Sequence, residues 1–264
     1  MRIGFLAMTL AVMLWFNFGQ QSSAATVIQR SADFLDSRPP RSILIIGNSR
    51  TYYNGMPAML RDIADSAGNP AKFQIETSAI GGATFKTHWE DGRTRSLLAS
   101  RWDDVIFQPE SSAQACQICN ETFLEYGARL TEVAKAKAGR PNLVVGWAYD
   151  PRIYDEPEFS DYDYERSEHL GLLKEMHARL ASDADLRRIN VAGAWEMVRL
   201  STPSIKLTID GNHPTLAGTY LYALAVYAQL SNGPVASVTY VPDGLSVDDA
   251  KALREAVDTV PRLP

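Results

Sequence analysis

Short apolar runs alternate with helix-like segments along this chain, and no other feature of the sequence constrains its fold as strongly. The clearest run, at 42–46, is rich in isoleucine and leucine, as strands buried on both faces are. Hydrophobic residues at helical spacing follow at 56–67, where Gly68 and Pro70 end the segment. The pattern then recurs. Strands are predicted at 42–46, 73–77, 104–107, 143–147 and 189–191, and helices at 56–67, from the glycine loop to 100, and at 123–138, 167–181 and 215–230.

Strands that alternate with helices form parallel sheets with helices on both faces. We therefore predict an α/β fold, a three-layer α/β/α sandwich around a central, mainly parallel five-stranded sheet. A last surface helix is predicted at 246–260. Since no linker separates two cores, residues 26–264 are predicted to form a single domain.

The first 25 residues have the composition of a signal peptide. Arg2 precedes an uncharged, largely apolar stretch at 3–18, and the small residues Ala24 and Ala25 follow a polar segment. The apolar stretch is short for a membrane span of about 20 residues. A lipid anchor would need a cysteine at the cleavage site, and both cysteines lie far downstream. We expect cleavage near Ala25, a secreted or periplasmic protein, and no stable membrane insertion afterwards.

The charge balance argues against a nucleic-acid partner, because 31 acidic residues outnumber 26 basic ones. In an exported protein, the spacing of Cys116 and Cys119 favours a local disulfide over a redox or metal site. A single C-x-x-C lacks the second ligand pair of a tetrahedral zinc site. No metal or cofactor is expected.

A serine follows the first predicted strand, in the sequence G-N-S-R-T at 47–51. Ligands of parallel sheets gather at the carboxyl ends of the strands, so Ser49 is well placed to be a nucleophile. Thr51 replaces the second glycine of the G-x-S-x-G elbow, so this is not the α/β-hydrolase motif. A helix cap would be the simpler role for an isolated serine at such a position.

An aspartate and a histidine three residues apart follow near the C-terminus, as Asp210 and His213. At this spacing the carboxylate can bind the near ring nitrogen and leave the far nitrogen as a general base for Ser49. Among the other histidines, His169 and His177 are expected on the solvated face of a polar helix, and His88 follows the glycine loop. His213 is therefore the predicted base.

Ester cleavage also needs donors for the oxyanion that develops on the carbonyl oxygen. The backbone N–H of Ser49 can supply one, and the glycine pair Gly81 and Gly82 after the second strand can supply another. The side-chain amide of Gln108, after the third strand, is a third candidate.

In this order of serine, glycine, amide residue and Asp-x-x-His, the chain resembles the SGNH, or GDSL-like, hydrolases over roughly residues 42–230. The resemblance implies a flavodoxin-like fold and an acyl-serine mechanism, and it favours Gly82 over Gly81 because G-A-T at 82–84 matches the family's Gly-x-Ser/Thr pattern. Two positions depart from the family. Asn48 replaces the usual aspartate before the serine, and Q-P-E-S at 108–111 replaces Gly-x-Asn-Asp. The latter block is instead similar to the Gln-Gly-Glu-Ser block of acetyl carbohydrate esterases.

The resemblance implies a serine ester hydrolase that removes short acyl groups, such as acetyl, from a carbohydrate or a related small-molecule ester. An O-acetyltransferase acting on a cell-envelope polysaccharide would use the same residues, and a glycan-binding protein without catalysis could share the scaffold. The acidic, aromatic segment from Tyr149 to Tyr164 is either a sugar-stacking surface or a solvated loop. Its carboxylates do not match a calcium loop.

Overall fold

The computed structural model describes residues 36–110, 117–137, 139–150 and 166–264. Within these residues five strands form one sheet in which every neighbouring pair is parallel. The strands are β1 Pro40–Gly47, β2 Lys72–Ala79, β3 Asp104–Phe107, β4 Arg140–Val145 and β5 Arg187–Asn190. The predicted parallel sheet is confirmed.

The strand order β2-β1-β3-β4-β5 places the first strand inside the sheet. The chain winds outward in one direction from β1 to β2 and in the other direction from β3 to β5. A crevice therefore opens between the carboxyl ends of β1 and β3, where the winding reverses, and such switch points are the usual ligand sites of open parallel sheets. Gly47 ends β1 and Phe107 ends β3, so Ser49 and Gln108 follow directly at this crevice.

Helices cover both faces of the sheet. In the described part of the chain they are α1 Ser49–Tyr52, α2 Met56–Ser66, α3 Phe85–Glu90, α4 Gly92–Leu98, α5 Gln117–Ala136, α6 Arg166–Ala184, α7 Val191–Ser201, α8 Leu216–Ser231 and α9 Val247–Thr259, with a 3₁₀ turn at Tyr53–Gly55. None of the described helices is long and apolar enough to cross a membrane.

The alternation of side chains along β1 divides the core into two layers. Ile43 and Ile45 pack with α2, α7, α8 and α9 on one face, whereas Leu44 and Ile46 pack with helices α3 to α6 on the other. All four side chains are fully buried. Because strand side chains point alternately to opposite faces, an unbroken apolar run is what a strand between two helical layers requires. The predicted three-layer sandwich is confirmed.

One buried carboxylate joins the starts of the strands, at the end of the sheet opposite Ser49. Asp104 is fully buried at the beginning of β3. It binds Arg41 of β1 at 2.7 Å, Arg140 of β4 at 3.1 Å and Arg187 of β5 at 2.9 Å. This network fastens four of the five strands at their amino ends.

Two helices differ from the sequence prediction. The helix expected from the glycine loop to residue 100 is two helices, because Asp91 ends α3 and caps α4 by accepting the N–H of Thr94 at 2.6 Å. Helix α7 was not predicted. It starts directly after β5, where Asn190 caps it by accepting the N–H of Gly193 at 3.0 Å, so no loop separates the strand from the helix.

Other boundaries shift modestly, since β4 starts at Arg140 rather than 143 and α5 starts at Gln117 rather than 123. Several predictions lie outside the described residues. These are the signal peptide at 1–25, the proposed disulfide, for which Cys116 and the side chain of Cys119 are not described, and the part of the aromatic segment from 151 onward. They stay predictions.

Candidate active site

The turn after β1 places Ser49 at the first position of α1. Asn48 is the N-cap of this helix, and its Oδ1 accepts the N–H of Arg50 at 3.1 Å. The capping role considered for Ser49 is thus performed by its neighbour. Gly47 makes the tight turn possible, because a Cβ there would lie 2.3 Å from Thr51 Oγ1. The first N–H groups of a helix have no partner within it, so the Ser49 N–H is directed outward.

A continuous chain of hydrogen bonds joins the three residues predicted to form the triad. Ser49 Oγ lies 2.9 Å from His213 Nε2, and His213 Nδ1 lies 2.6 Å from Asp210 Oδ2. A carboxylate only accepts, so Nδ1 carries the proton and Nε2 presents its lone pair to the serine hydroxyl. The structure therefore brings together Ser49, His213 and Asp210 in the geometry of a nucleophile, a base and an orienting carboxylate.

Asp210 is held in its charged form by its surroundings. Its Oδ1 accepts the backbone N–H groups of Asn212 at 2.9 Å and His213 at 2.7 Å, while Oδ2 accepts the imidazole. Partial burial disfavours the carboxylate, but these bonds outweigh it and lower the pKa of Asp210 to about 2. The side chain is ionised throughout the neutral range and fixes the His213 tautomer.

A buried arginine, not anticipated from the sequence, links the nucleophile turn to the histidine loop. Arg50 is only 3% exposed, and its Nε donates to Asn212 Oδ1 at 2.9 Å. Its Nη1 donates to the Trp147 carbonyl at 2.9 Å, and its guanidinium lies 4.3 Å from the centre of the Trp147 ring. Trp147 Nε1 in turn donates to the Asn212 carbonyl at 2.9 Å. These contacts hold the loop that carries His213 against Ser49.

A second connection comes from the turn after α1. The ring of Tyr53 stacks on the His213 imidazole, with centroids 4.4 Å apart and planes 13° apart. Asn54 adopts the left-handed conformation and donates to the Pro214 carbonyl at 3.0 Å and to Thr219 Oγ1 at 2.9 Å. Tyr53 therefore covers one face of the imidazole, and the bond from Asn54 to the Pro214 carbonyl fixes the backbone next to His213.

The glycine loop offers a second free backbone donor near the nucleophile. Ala83 N–H binds the Ile80 carbonyl at 3.1 Å, and Gly82 has a φ of 68°, which is the geometry of a type II turn with glycine at its third position. Throughout the described ranges, neither the Ser49 N–H nor the Gly82 N–H has an acceptor. Gly81 N–H is also without one there, so both glycines stay candidates.

Gln108 is bonded to the nucleophile turn rather than to the nucleophile. The side chain is buried, and its Oε1 accepts the Asn48 N–H at 3.0 Å and the Thr51 hydroxyl at 2.9 Å. Its Nε2 donates one hydrogen to the Pro109 carbonyl. In this conformation Gln108 supports the backbone around Ser49, and no hydrogen bond joins it to Ser49 Oγ.

No family model and no curated protein matches the sequence of this chain. Solved structures do match. A protein from Slackia heliotrinireducens, provisionally assigned to the SGNH hydrolases, is 25% identical with a TM-score of 0.59, and the match covers 72% of this chain and 99% of that one. Together with the triad geometry, this match shows that the chain has the fold of the SGNH hydrolases.

Two further structures extend the likeness in fold. A DUF4886 family protein from Bacteroides uniformis is 18% identical with a TM-score of 0.69, over 83% of this chain and 93% of that one. An acetyl xylan esterase is 13% identical with a TM-score of 0.56, over 72% of this chain and 99% of that one. At these identities, the two likenesses show the fold of the chain.

The solvated positions expected for His169 and His177 are wrong. Both are buried, at 2% and 1% exposure, because they lie on the face of α6 that packs inward with Leu173. His177 Nδ1 donates to the Leu173 carbonyl at 2.6 Å, and burial lowers the pKa of His177 to about 4. The ring is a neutral part of the core.

His88 has a supporting position near the candidate active site. It is buried, and its Nε2 donates to the Gly47 carbonyl at 2.9 Å, while Nδ1 lies 3.1 Å from Thr94 Oγ1. Burial lowers the pKa of His88, although the bond to Gly47 opposes this. His88 therefore anchors the end of β1 just before Ser49.

The first residue of the aromatic segment is not free to stack on a sugar. Tyr149 is 4% exposed, and the Arg50 guanidinium lies 5.5 Å from its ring centre. The Asp150 N–H donates to the Gly211 carbonyl at 2.7 Å, so this start of the segment packs against the Asp-x-x-His loop. No cluster of three or more potential metal ligands occurs in the described part of the chain.

Proposed function

We propose that this protein is an acyl-serine esterase that removes short acyl groups, acetyl above all, from a carbohydrate. Ser49 is the nucleophile, His213 the general base, and Asp210 the residue that orients the imidazole. The observation that carries the proposal is the chain of bonds from Asp210 Oδ2 through His213 to Ser49 Oγ, at 2.6 and 2.9 Å.

In the proposed reaction, His213 Nε2 accepts and donates every proton that is transferred. Ser49 Oγ attacks the ester carbonyl carbon while His213 Nε2 takes the hydroxyl proton, and Asp210 stabilises the resulting imidazolium. The free N–H groups of Ser49 and Gly82 are the proposed donors to the oxyanion, and losing one such donor typically costs about 3 kcal/mol of barrier. His213 then gives the proton to the departing alcohol oxygen, leaving an acyl-serine. Water, activated by the same nitrogen, releases the acid.

Gln108 is proposed to serve the oxyanion hole in two ways. Its Oε1 fixes the backbone from Asn48 to Thr51 and thereby directs the Ser49 N–H. Its Nε2 has a second hydrogen besides the one bound to Pro109, and a small side-chain rotation would present that hydrogen to the oxyanion. We retain it as the third proposed donor.

The preference for acetyl is supported by the likeness of the Gly81–Gly82 turn and the Q-P-E-S block to those of acetyl carbohydrate esterases. The acetyl xylan esterase among the similar structures shares this fold. Export to the periplasm or the medium, proposed from residues 1–25, would bring the enzyme to polymeric glycan esters.

The test is hydrolysis of p-nitrophenyl esters of increasing acyl length by the purified mature protein. Ser49→Ala should abolish turnover and fluorophosphonate labelling, whereas Ser96→Ala, at an exposed serine of α4, should retain both. Equal rates in wild type and Ser49→Ala would refute the proposal. Faster cleavage of long-chain esters would refute the acetyl preference.

The same acyl-serine can pass its acyl group to a sugar hydroxyl instead of water. Acetate release is therefore measured with and without an acceptor glycan. Hydrolysis predicts that the acceptor leaves acetate release unchanged, whereas preferential labelling of the acceptor would show a transferase.

A further inference from the structure

Tyr52 is the one aromatic side chain among the exposed large apolar residues of the described ranges, with 48% of its surface exposed. It ends α1, three residues after Ser49, so it stands on the same short helix as the nucleophile. One helical turn brings residues at this spacing to the same side of the helix. A large, flat and partly apolar surface therefore lies beside Ser49.

The neighbours of Tyr52 locate this surface relative to the reacting groups. Its ring stacks on Tyr53 with centroids 6.0 Å apart and planes 24° apart, and Tyr53 stacks on His213. On its other side, the Tyr52 hydroxyl is close enough to the glycine turn that a Cβ on Gly81 would lie 3.2 Å from it. Tyr52 thus lies between the imidazole and the turn that carries the Gly82 N–H.

The reaction determines which part of the ester meets this ring. The carbonyl oxygen must face the N–H groups of Ser49 and Gly82, and the alcohol oxygen must face His213 Nε2, which protonates it. The alcohol part therefore leaves on the side of His213, where Tyr53 covers the imidazole and Tyr52 continues the aromatic surface.

We propose that Tyr52 is the platform on which the sugar ring of the departing alcohol stacks, which makes an acylated pyranoside the substrate class. This inference rests on the proposed esterase function. An acyl chain would need an enclosed apolar pocket, whereas a half-exposed ring suits a flat ligand with one apolar face and polar edges. Stacking on Tyr53 fixes the Tyr52 ring, so little side-chain entropy is lost on binding.

The test compares two acetate esters of unlike alcohols, an acetylated methyl xylopyranoside and ethyl acetate, because only the first carries a ring that can stack. The measured quantity is the ratio of kcat/KM for the sugar ester to kcat/KM for ethyl acetate. Tyr52→Ala should lower this ratio about 3- to 10-fold, mainly through KM. Tyr52→Trp should keep the ratio or raise it, and Leu200→Ala, at a distant exposed residue, should leave it at the wild-type value.

A ratio that stays constant in Tyr52→Ala would overturn the platform, even if both rates fall together, since a common fall indicates damage to the triad. The rate of fluorophosphonate labelling checks the triad separately. Failure of the esterase proposal gives a different result, because wild type and Ser49→Ala would then cleave both esters at equal rates.

Discussion

Replacing Asn212 by alanine tests how His213 is held in place. The Asn212 side chain accepts the Arg50 Nε–H at 2.9 Å, in a site where Arg50 is only 3% exposed. Alanine leaves the Asp210 bonds intact, because those use the Asn212 backbone N–H. The substitution therefore removes one connection between the nucleophile turn and the histidine loop while the chemical groups of the triad remain.

The expected cost follows from the buried donor. A buried N–H that loses its acceptor costs about 1–3 kcal/mol. For a domain of this size, each kcal/mol lowers Tm by about 2–4 °C, so Tm should fall by about 2–12 °C. A displacement of the imidazole of about 1 Å can lower the rate about 100-fold, so we expect kcat/KM to fall between 10- and 100-fold.

The assay combines thermal unfolding with p-nitrophenyl acetate kinetics, recorded at a temperature where both proteins are folded. Asn212→Asp is the matched control. It keeps an oxygen opposite Arg50 and should recover most of the lost stability. Wild-type Tm and wild-type kcat/KM in Asn212→Ala would show that the Arg50 contact does not position His213.

Three further predictions concern groups outside the triad. Burial raises the pKa of Glu110 from 4.5 to about 7. Between these pH values the folded protein keeps a proton that the unfolded chain releases. The free energy of unfolding should therefore fall by up to about 3 kcal/mol as pH rises from 4.5 to 7. Glu110→Gln should remove this slope in urea titrations, and an unchanged slope would contradict the assignment. Asp104→Asn leaves three arginines around a neutral group and should lower the free energy of unfolding in urea by about 3–5 kcal/mol. The kcat of the folded enzyme should stay unchanged. A loss below about 1 kcal/mol would show that the network does not stabilise the fold. Mass spectrometry of exported protein should find Cys116 and Cys119 bonded, and replacing both by serine should change Tm little because the closed loop is short, whereas two free thiols would refute the bond.

The sheet was predictable because its signals are local. Strands β1, β3 and β4 contain short apolar runs, and β3 has the predicted bounds because Asp103 precedes it and Gln108 and Pro109 follow it. Helix α7 could not be predicted, because no local signal marks where β5 ends and the helix begins. Val191 follows β5 directly and no loop marks the change, so only the Asn190 cap separates strand from helix.

The two buried histidines follow the helical spacing of the apolar residues around them. His169 and His177 occupy the same stripe of α6 as Leu170, Leu173 and Leu180, which are all buried. The low overall hydrophobicity of the segment suggested a solvated helix, but position on the stripe decides burial. A histidine at a stripe position should therefore be interpreted as a core residue.

The triad could be predicted, but its supports could not. Asp210 and His213 lie three residues apart, so their contact follows from local geometry. Arg50 and Asn212 are 162 residues apart, and Asn54 and Pro214 are 160 apart. Nothing in the local sequence of either partner indicates such pairs, because they arise only when β1 and the loop before α8 meet at the same end of the sheet.

The departures from the SGNH pattern are explained by one set of contacts around Asn48. Its amide nitrogen lies 3.4 Å from both the Ala83 and the Pro109 carbonyls, so it reaches the glycine turn and the Q-P-E-S block together. An aspartate at this position could cap α1 equally well, but it has no hydrogen to donate and would place its charge against two carbonyl oxygens. Gln108 approaches the same turn from the other side through its Oε1. Asn48 and the Q-P-E-S block therefore act as one unit. Asn48 donates its side-chain amide to the Pro109 carbonyl and its backbone N–H to Gln108 Oε1, and both bonds fix the backbone around Ser49.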